Sequence, residues 1–237
     1  MLTDDSALSG QSLEQDPSQY TKTVMAIAFD FDYVTNSPDK SRADEIRILT
    51  IKNKKQPKKS KEKKPPGVGC PAGGVESGED LICAVIRETL GESGYGGAGA
   101  KVLGELFYEH RHRISNSVHV FLLEVDSSYA VQIRERDEVD QTWDNWITLR
   151  QLLQMQYAIN KDGTPKDPNG VYYSHIRRVV KALNILIFSD PESLQKDVDI
   201  WADEHYDDIF SAINDLLKDG LVSISREGLI TLPQKEY

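Results

Sequence analysis

Within the run Gly73 to Tyr95, GGVESGEDLICAVIRETLGESGY, glutamates stand at Glu79, Glu88 and Glu92, Arg87 precedes the second, and Gly94 closes the stretch. An acidic, glycine-rich loop leads into a helical pattern in which Glu88 and Glu92 are one turn apart. Side chains at i and i+4 share a helical face, so the two carboxylates point the same way. Paired carboxylates beside a glycine loop can bind a hard divalent cation. Mg²⁺ suits them best, because it takes one or two carboxylates, keeps several waters and completes its shell with substrate phosphates. A cation held in this way can neutralise charge on phosphate oxygens and lower the pKa of a bound water.

Those groups need a frame. Ile82, Val85, Ile86 and Thr89 form the apolar side of the helix, opposite or flanking the carboxylates. The segment Glu76 to Glu79 supplies a cap and an acidic first turn, and the glycines from Gly94 to Gly99 stop the helix. Thr23 to Phe31 reads as a strand apolar on both faces, and Arg47 to Lys52 as a second strand, with turn residues Asn36 to Ser41 between them. Gly67 to Gly74 approaches the helix as loop and short strand. Lys101 to Tyr108 and Ser117 to Val125 follow as strands, and a helix begins near Arg150. Lys161 to Gly170 is turn-rich, and Tyr172 to Phe188 is a helix with Ile176, Val179, Val180, Leu183 and Ile187 on one side. Asp207 to Gly220 reads as an amphipathic helix. Leu221 to Ser225 and Leu229 to Leu232 then form a hairpin.

The run around Arg87 resembles the Nudix box, the signature of hydrolases that cleave nucleoside diphosphates linked to another group. Gly73, Glu79, Arg87, Glu88, Glu92, Gly94 and Tyr95 stand where that pattern wants them, whereas Thr89 replaces a hydrophobic residue and Gly91 replaces the first glutamate of a Glu-Glu pair. The resemblance implies an α/β fold: an α/β/α sandwich around a mixed β-sheet, here with a small C-terminal helix-hairpin extension. It implies a Mg²⁺-dependent pyrophosphohydrolase, with Mn²⁺ as a substitute, that cleaves a diphosphate linkage in a nucleotide or nucleoside-diphosphate derivative. Glu88 and Glu92 would ligate the metal together with the backbone carbonyl of Ala72. Arg87 would orient the glutamates through Glu79, and Gly73 and Gly74 would let the backbone approach metal and phosphates. Gly91 leaves one ligand missing. In the family a loop carboxylate downstream commonly completes the site or acts as general base, which points to Glu138 in the cluster Glu135, Asp137, Glu138, with Glu76 as another candidate. Trp143, Trp146 and Tyr108 are candidates for stacking on a base, and each is equally well explained as core packing. A homodimer is expected by family analogy alone. A reading of a different class is also open: a catalytically impaired domain that senses a nucleotide and signals through a winged-helix-like C-terminal segment.

Length and composition bound these readings. The 237 residues allow one ordinary domain and a small appendage. The expected division is an acidic, disordered tail over 1–20, the main domain over 21–188 with a lysine-rich loop at 52–66, and the helix-hairpin extension over 189–237. Net charge is −10, yet Lys52 to Lys64 holds eight lysines against one glutamate. The acidic remainder argues against nucleic acid as a partner, while the lysine loop, set just before the phosphate-handling glycines, could attract polyphosphates. The N-terminal stretch lacks a basic region and a long apolar run, and no segment is apolar enough to span a membrane. Cys70 and Cys83 have no metal-type spacing and are expected in the core, which fits a reduced cytoplasm. His110, His112 and His119 are expected at the surface or near substrate, not as ligands.

Overall fold

The computed structural model describes residues 21–31, 41–54, 66–95, 99–111, 115–126, 139–155, 167 and 169–233. The expected tail over 1–20, most of the lysine loop, His112, Glu135, Asp137 and Glu138 lie outside these residues.

Strand β1, Thr21–Phe31, organises the sheet. Val24, Met25, Ala26, Ile27 and Ala28 are all fully buried, so both of its faces are covered, as an uninterrupted apolar run requires. Its first eight residues run parallel to β7, Asn116–Val125, in a register from Thr21 opposite Asn116 to Ala28 opposite Leu123. Strand β6, Ala100–Arg111, lies antiparallel on the far side of β7, with two irregularities near Gly104 and Leu106. The other edge of β1 is shared. Near its start it pairs with β5, Ala72–Gly74, and near its end with β2, Ile46–Leu49. Strand β8, Trp146–Thr148, adds to β2, giving the mixed order β6-β7-β1-β2-β8.

Alternation along the strands sends Met25, Ile27, Val118, Val120 and Leu122 to one face and Val24, Ala26, Ala28, Phe121 and Leu123 to the other. Helix α2, Leu81–Ser93, covers the second face through Ala84 and Val85. Helices α4, Tyr173–Phe188, and α5, Lys196–Lys218, close the first, together with the short α1, Arg42–Glu45, and α3, Leu149–Gln154. Each fully buried Ile or Leu contributes about 1.5–3 kcal/mol through removal from water. The result is an α/β fold with helices on both faces of a mixed sheet.

Four expectations change. The strand read over Arg47 to Lys52 is two strands in different sheets: at Thr50 the backbone N–H turns aside to the carbonyl of Asn145 (2.7 Å), and β3, Ile51–Asn53, pairs with β4, Gly67–Gly69. Ile82 is 51% exposed, because the buried stripe of α2 runs through Ala84, Val85, Glu88, Thr89, Gly91 and Glu92. Cys83, on the same exposed first turn, is not a core residue, whereas Cys70 is. Helix α5 begins at Lys196, not near Asp207; its first turns are acidic outside, but Val198, Trp201 and Ala202 continue the stripe of Ile209, Ala212, Ile213 and Leu216 into the main core. Arg42 holds Asp208 at 3.2 Å, and its backbone N–H donates to Asp215 at 3.0 Å; Arg150 pairs with Asp44 and Asp219. The C-terminal helix is thereby bonded to α1 and α3. The hairpin of β9, Ser223–Ile224, and β10, Ile230–Thr231, follows it and rests on α4 through Asn184, which bonds both backbone groups of Ile230. Among the described residues no helix is long and apolar enough to cross a membrane.

Candidate active site

Helix α2 is delimited by local chemistry. Asp80 caps its start by accepting from the backbone N–H groups of Ile82 and Cys83, each at 2.9 Å, and Gly94 ends it with φ of 80°, a left-handed conformation that glycine adopts without strain. The cap is therefore Asp80 and not the Glu76–Glu79 segment, which has other work. Glu79 receives Arg87 through two parallel bonds, Nε to Oε1 at 2.8 Å and Nη2 to Oε2 at 2.9 Å. Arg87 also donates through Nη1 to Glu88 (2.7 Å) and through Nη2 to the carbonyl of Gly74 (2.8 Å). One guanidinium thus ties the loop, the end of β5 and the helix. Its hydrogen bonds, with one from the backbone N–H of Glu76, push the Glu79 carboxyl down to about 2, and the same bonds raise Arg87.

Glu88 and Glu92 are almost wholly buried, at 7% and 1% exposure. Glu92 accepts from the backbone N–H of Ala72 at 2.8 Å. Gly73 has no side chain for a steric reason: a Cβ there would lie 2.0 Å from the carboxyl carbon of Glu88. The space left open at Gly73 is taken by Glu88, while at Gly74 a Cβ would meet nothing within 4 Å. Thr89, fully buried where the family pattern wants an apolar side chain, satisfies its hydroxyl on the carbonyl of Val85 at 2.6 Å.

Glu92 borders a cavity of about 300 Å³. Glu92, Ala72 and Thr23 form one side. Asn53 from β3, Arg111 from the end of β6, and Tyr172 and His175 from the start of α4 line the rest. The Nδ1 of His175 accepts from the backbone N–H of Cys70 at 3.1 Å, and burial, aided by the charges of Arg178 and Arg111, pushes the imidazole down to about 3. Burial likewise pushes the neighbouring Cys70 thiol up to about 12. Gly69 makes this arrangement sterically allowed, since a Cβ would stand 2.6 Å from His175 Nδ1. Arg111 has no carboxylate partner among the described residues. The nearby Arg178, by contrast, is matched by Glu109, at 3.1 Å.

The structure brings Glu88, Arg87, Glu79, Glu92, Ala72 and Gly73 together around the start of β5 and the end of α2. Glu138 lies outside the described residues, and Glu76 is 3.8 Å from Arg87 on the exposed rim. Tyr108 and Trp143 do not line the cavity. Tyr108 is 57% exposed and stacks on His119, which in turn bonds Glu105 at 2.8 Å; Trp143 packs against the core and donates its indole N–H to Thr50 at 3.1 Å. Asn53, Arg111, Tyr172 and His175 carried no sequence signal. They come from three elements far apart in the chain, and the pairing of β3 with β4 and of β6 with β7 positions Asn53 and Arg111 at the cavity that Glu92 lines.

Among the described residues no three or more His, Cys, Asp or Glu side chains gather to hold a metal ion. The donors on α2 are the two buried carboxylates of Glu88 and Glu92. That set fits a hard cation which fills its remaining positions with water and substrate phosphate, and it does not fit a closed all-protein metal cage.

A family model described as the NUDIX domain matches residues 40–166. No curated protein matches. Among solved structures the chain is similar to a MutT/nudix family protein from Enterococcus faecalis, at 13% identity over 91% of this chain and 87% of that one, with a TM-score of 0.49. It is similar also to the NUDIX domain of Shewanella oneidensis NrtR complexed with ADP ribose (16% identity, 71% and 91% coverage, TM-score 0.43) and to an Ap4A hydrolase from C. elegans (22% identity, 56% and 84% coverage, TM-score 0.38).

Proposed function

The chain belongs to the NUDIX domain family, and on that premise we propose that it is a Mg²⁺-dependent pyrophosphohydrolase cleaving a diphosphate linkage in a nucleotide or nucleoside-diphosphate derivative. One observation carries the reading: Glu88 and Glu92 are buried on one face of α2, braced by Arg87 and the Ala72 N–H, and Glu92 borders a cavity also lined by Arg111, which has no carboxylate partner among the described residues. Burying two carboxylates is costly unless a cation meets them. When bound, the ion neutralises phosphate oxygens and lowers the pKa of a water. Glu88, Glu92 and the Ala72 carbonyl would hold it, and Mn²⁺ would substitute. Arg87 and Glu79 hold Glu88 in place. Arg111 meets the substrate's phosphates with a charge-assisted hydrogen bond. Glu138 is proposed as general base.

The test is a panel of nucleotide sugars, dinucleotides and oxidised nucleotides, with Mg²⁺ or Mn²⁺, scored for phosphate products and run beside Glu92→Gln. Turnover of at least one compound, reduced about 10²–10³-fold in the variant, is expected. Binding without turnover of any compound overturns the reading. That result would favour the nucleotide-sensing regulator, for which the buried Gly91 speaks, since it removes an oxygen from the helix face.

A further inference from the structure

The cavity that Glu92 lines also carries an unspent hydrogen-bonding pair. Asn53 is 8% exposed, and its backbone is held by Gly67 of β4 and by Val139. Its Nδ2 donates to the Tyr172 hydroxyl at 3.1 Å, while its Oδ1 is buried with no partner among the described residues. A buried acceptor left unsatisfied costs about 1–3 kcal/mol, so its retention at a cavity wall points to a partner that arrives from outside. Beside it, His175 accepts from the Cys70 N–H through Nδ1. A ring nitrogen that accepts carries no proton, so the neutral ring holds its proton on Nε2 and offers it as a donor. Tyr172 and His175 present two aromatic rings, with centroids 5.3 Å apart and planes tilted by 48°. The space available, about 300 Å³, is at the small end for ligand sites and takes one ring system, not a whole dinucleotide.

We infer that Asn53, Tyr172 and His175 form the specificity-determining wall of this site, which takes a planar heterocyclic base and reads one edge where an N–H donor adjoins an acceptor. The base N–H donates to Asn53 Oδ1, the adjoining acceptor receives the His175 Nε2–H, and the diphosphate extends past Arg111 toward Glu92. The inference rests on the proposed nucleotide-diphosphate reading for the direction of the ligand, and it does not need turnover. Aromatic walls favour a flat heterocycle over a sugar, whose hydroxyls would leave the rings without a stacking partner. A site built around buried polar groups rejects ligands that leave those groups unpaired.

Calorimetric titration of the full chain, free of divalent metal, would compare ADP, CDP, GDP and UDP with ribose 5-phosphate and inorganic pyrophosphate. At least one nucleoside diphosphate is expected to bind about tenfold or more tightly than ribose 5-phosphate. Asn53→Leu should erase that advantage and leave pyrophosphate affinity unchanged, which also reports that the variant is folded. Tyr172→Phe, which keeps the ring and removes the hydroxyl anchoring Asn53, should cut the same advantage more mildly. The inference is overturned if no nucleoside diphosphate exceeds ribose 5-phosphate, or if Asn53→Leu weakens every ligand alike. Base-dependent binding without hydrolysis would sink the hydrolase reading and leave this one standing; hydrolysis indifferent to base and to Asn53 would do the reverse.

Discussion

The two walls of the cavity are built on opposite principles. One wall is formed by Glu92, seated on the Ala72 N–H, and behind it is a closed web in which Arg87 donates to Glu79, Glu88 and the Gly74 carbonyl. The other wall, from β3, β6 and α4, keeps open valences: Asn53 Oδ1 without a partner and Arg111 without a carboxylate among the described residues. A group whose hydrogen bonds are all made within the protein is held in place, and one with a bond unmade is available to a ligand. The first wall suits chemistry common to a family, and the second suits the choice of substrate.

If that division is right, disturbing the first wall should cost kcat and disturbing the second should cost KM. The largest effect is expected from Gly73→Ala, whose Cβ would fall 2.0 Å from the Glu88 carboxyl carbon. Displacing that carboxylate by an ångström should lower kcat about 10²-fold, and kcat within a factor of two of wild type would show that Glu88 is not part of the reacting set. Arg87→Lys keeps the charge but loses the two-pronged grip on Glu79. Steady-state kinetics should show kcat down about tenfold with KM little changed. Arg111→Ala sharpens the comparison from the other side: KM should rise about tenfold with a smaller change in kcat, and the opposite split would move Arg111 into the reacting set.

The smallest effect concerns stability. The His175 imidazole is held at about 3 against an ordinary value of 6.5. On acidification the unfolded chain therefore binds its proton before the folded one does. The contribution is fully present above about pH 6.5 and is lost as pH falls from there toward 3. Thermal unfolding midpoints across that window should fall more steeply for the wild type than for His175→Gln, and parallel curves would show that the ring is not held neutral.

Legibility followed the range of the interaction. The Arg87–Glu79 pair joins residues eight positions apart, and the resemblance to the Nudix box implied it, so it was legible in the sequence. Thr89 was readable as a departure from the family pattern, but not as a residue that satisfies its own hydroxyl on Val85. Ile82 misled because helical periodicity marks a stripe without saying how far the sheet beneath it extends. The first turns of α5 were missed because Asp199, Asp203 and Glu204 on the outside masked Val198, Trp201 and Ala202 beneath.

By itself the sequence determined the fold class, the helix that pairs Glu88 with Glu92, and the absence of a side-chain oxygen at Gly91. The fold class follows from the resemblance carried by Gly73 to Tyr95, and the other two from residue spacing on one element, where backbone geometry sets which side chains meet. Only the tertiary structure decided that both glutamates are buried, that Asp80 and not the acidic loop caps their helix, and that Asn53, Arg111, Tyr172 and His175 share a cavity with Glu92. Those residues meet because a break at Thr50 sends β3 to pair with β4, and because β6 runs along β7 to its end at Arg111. Such pairings depend on register between distant strands, which no local pattern records.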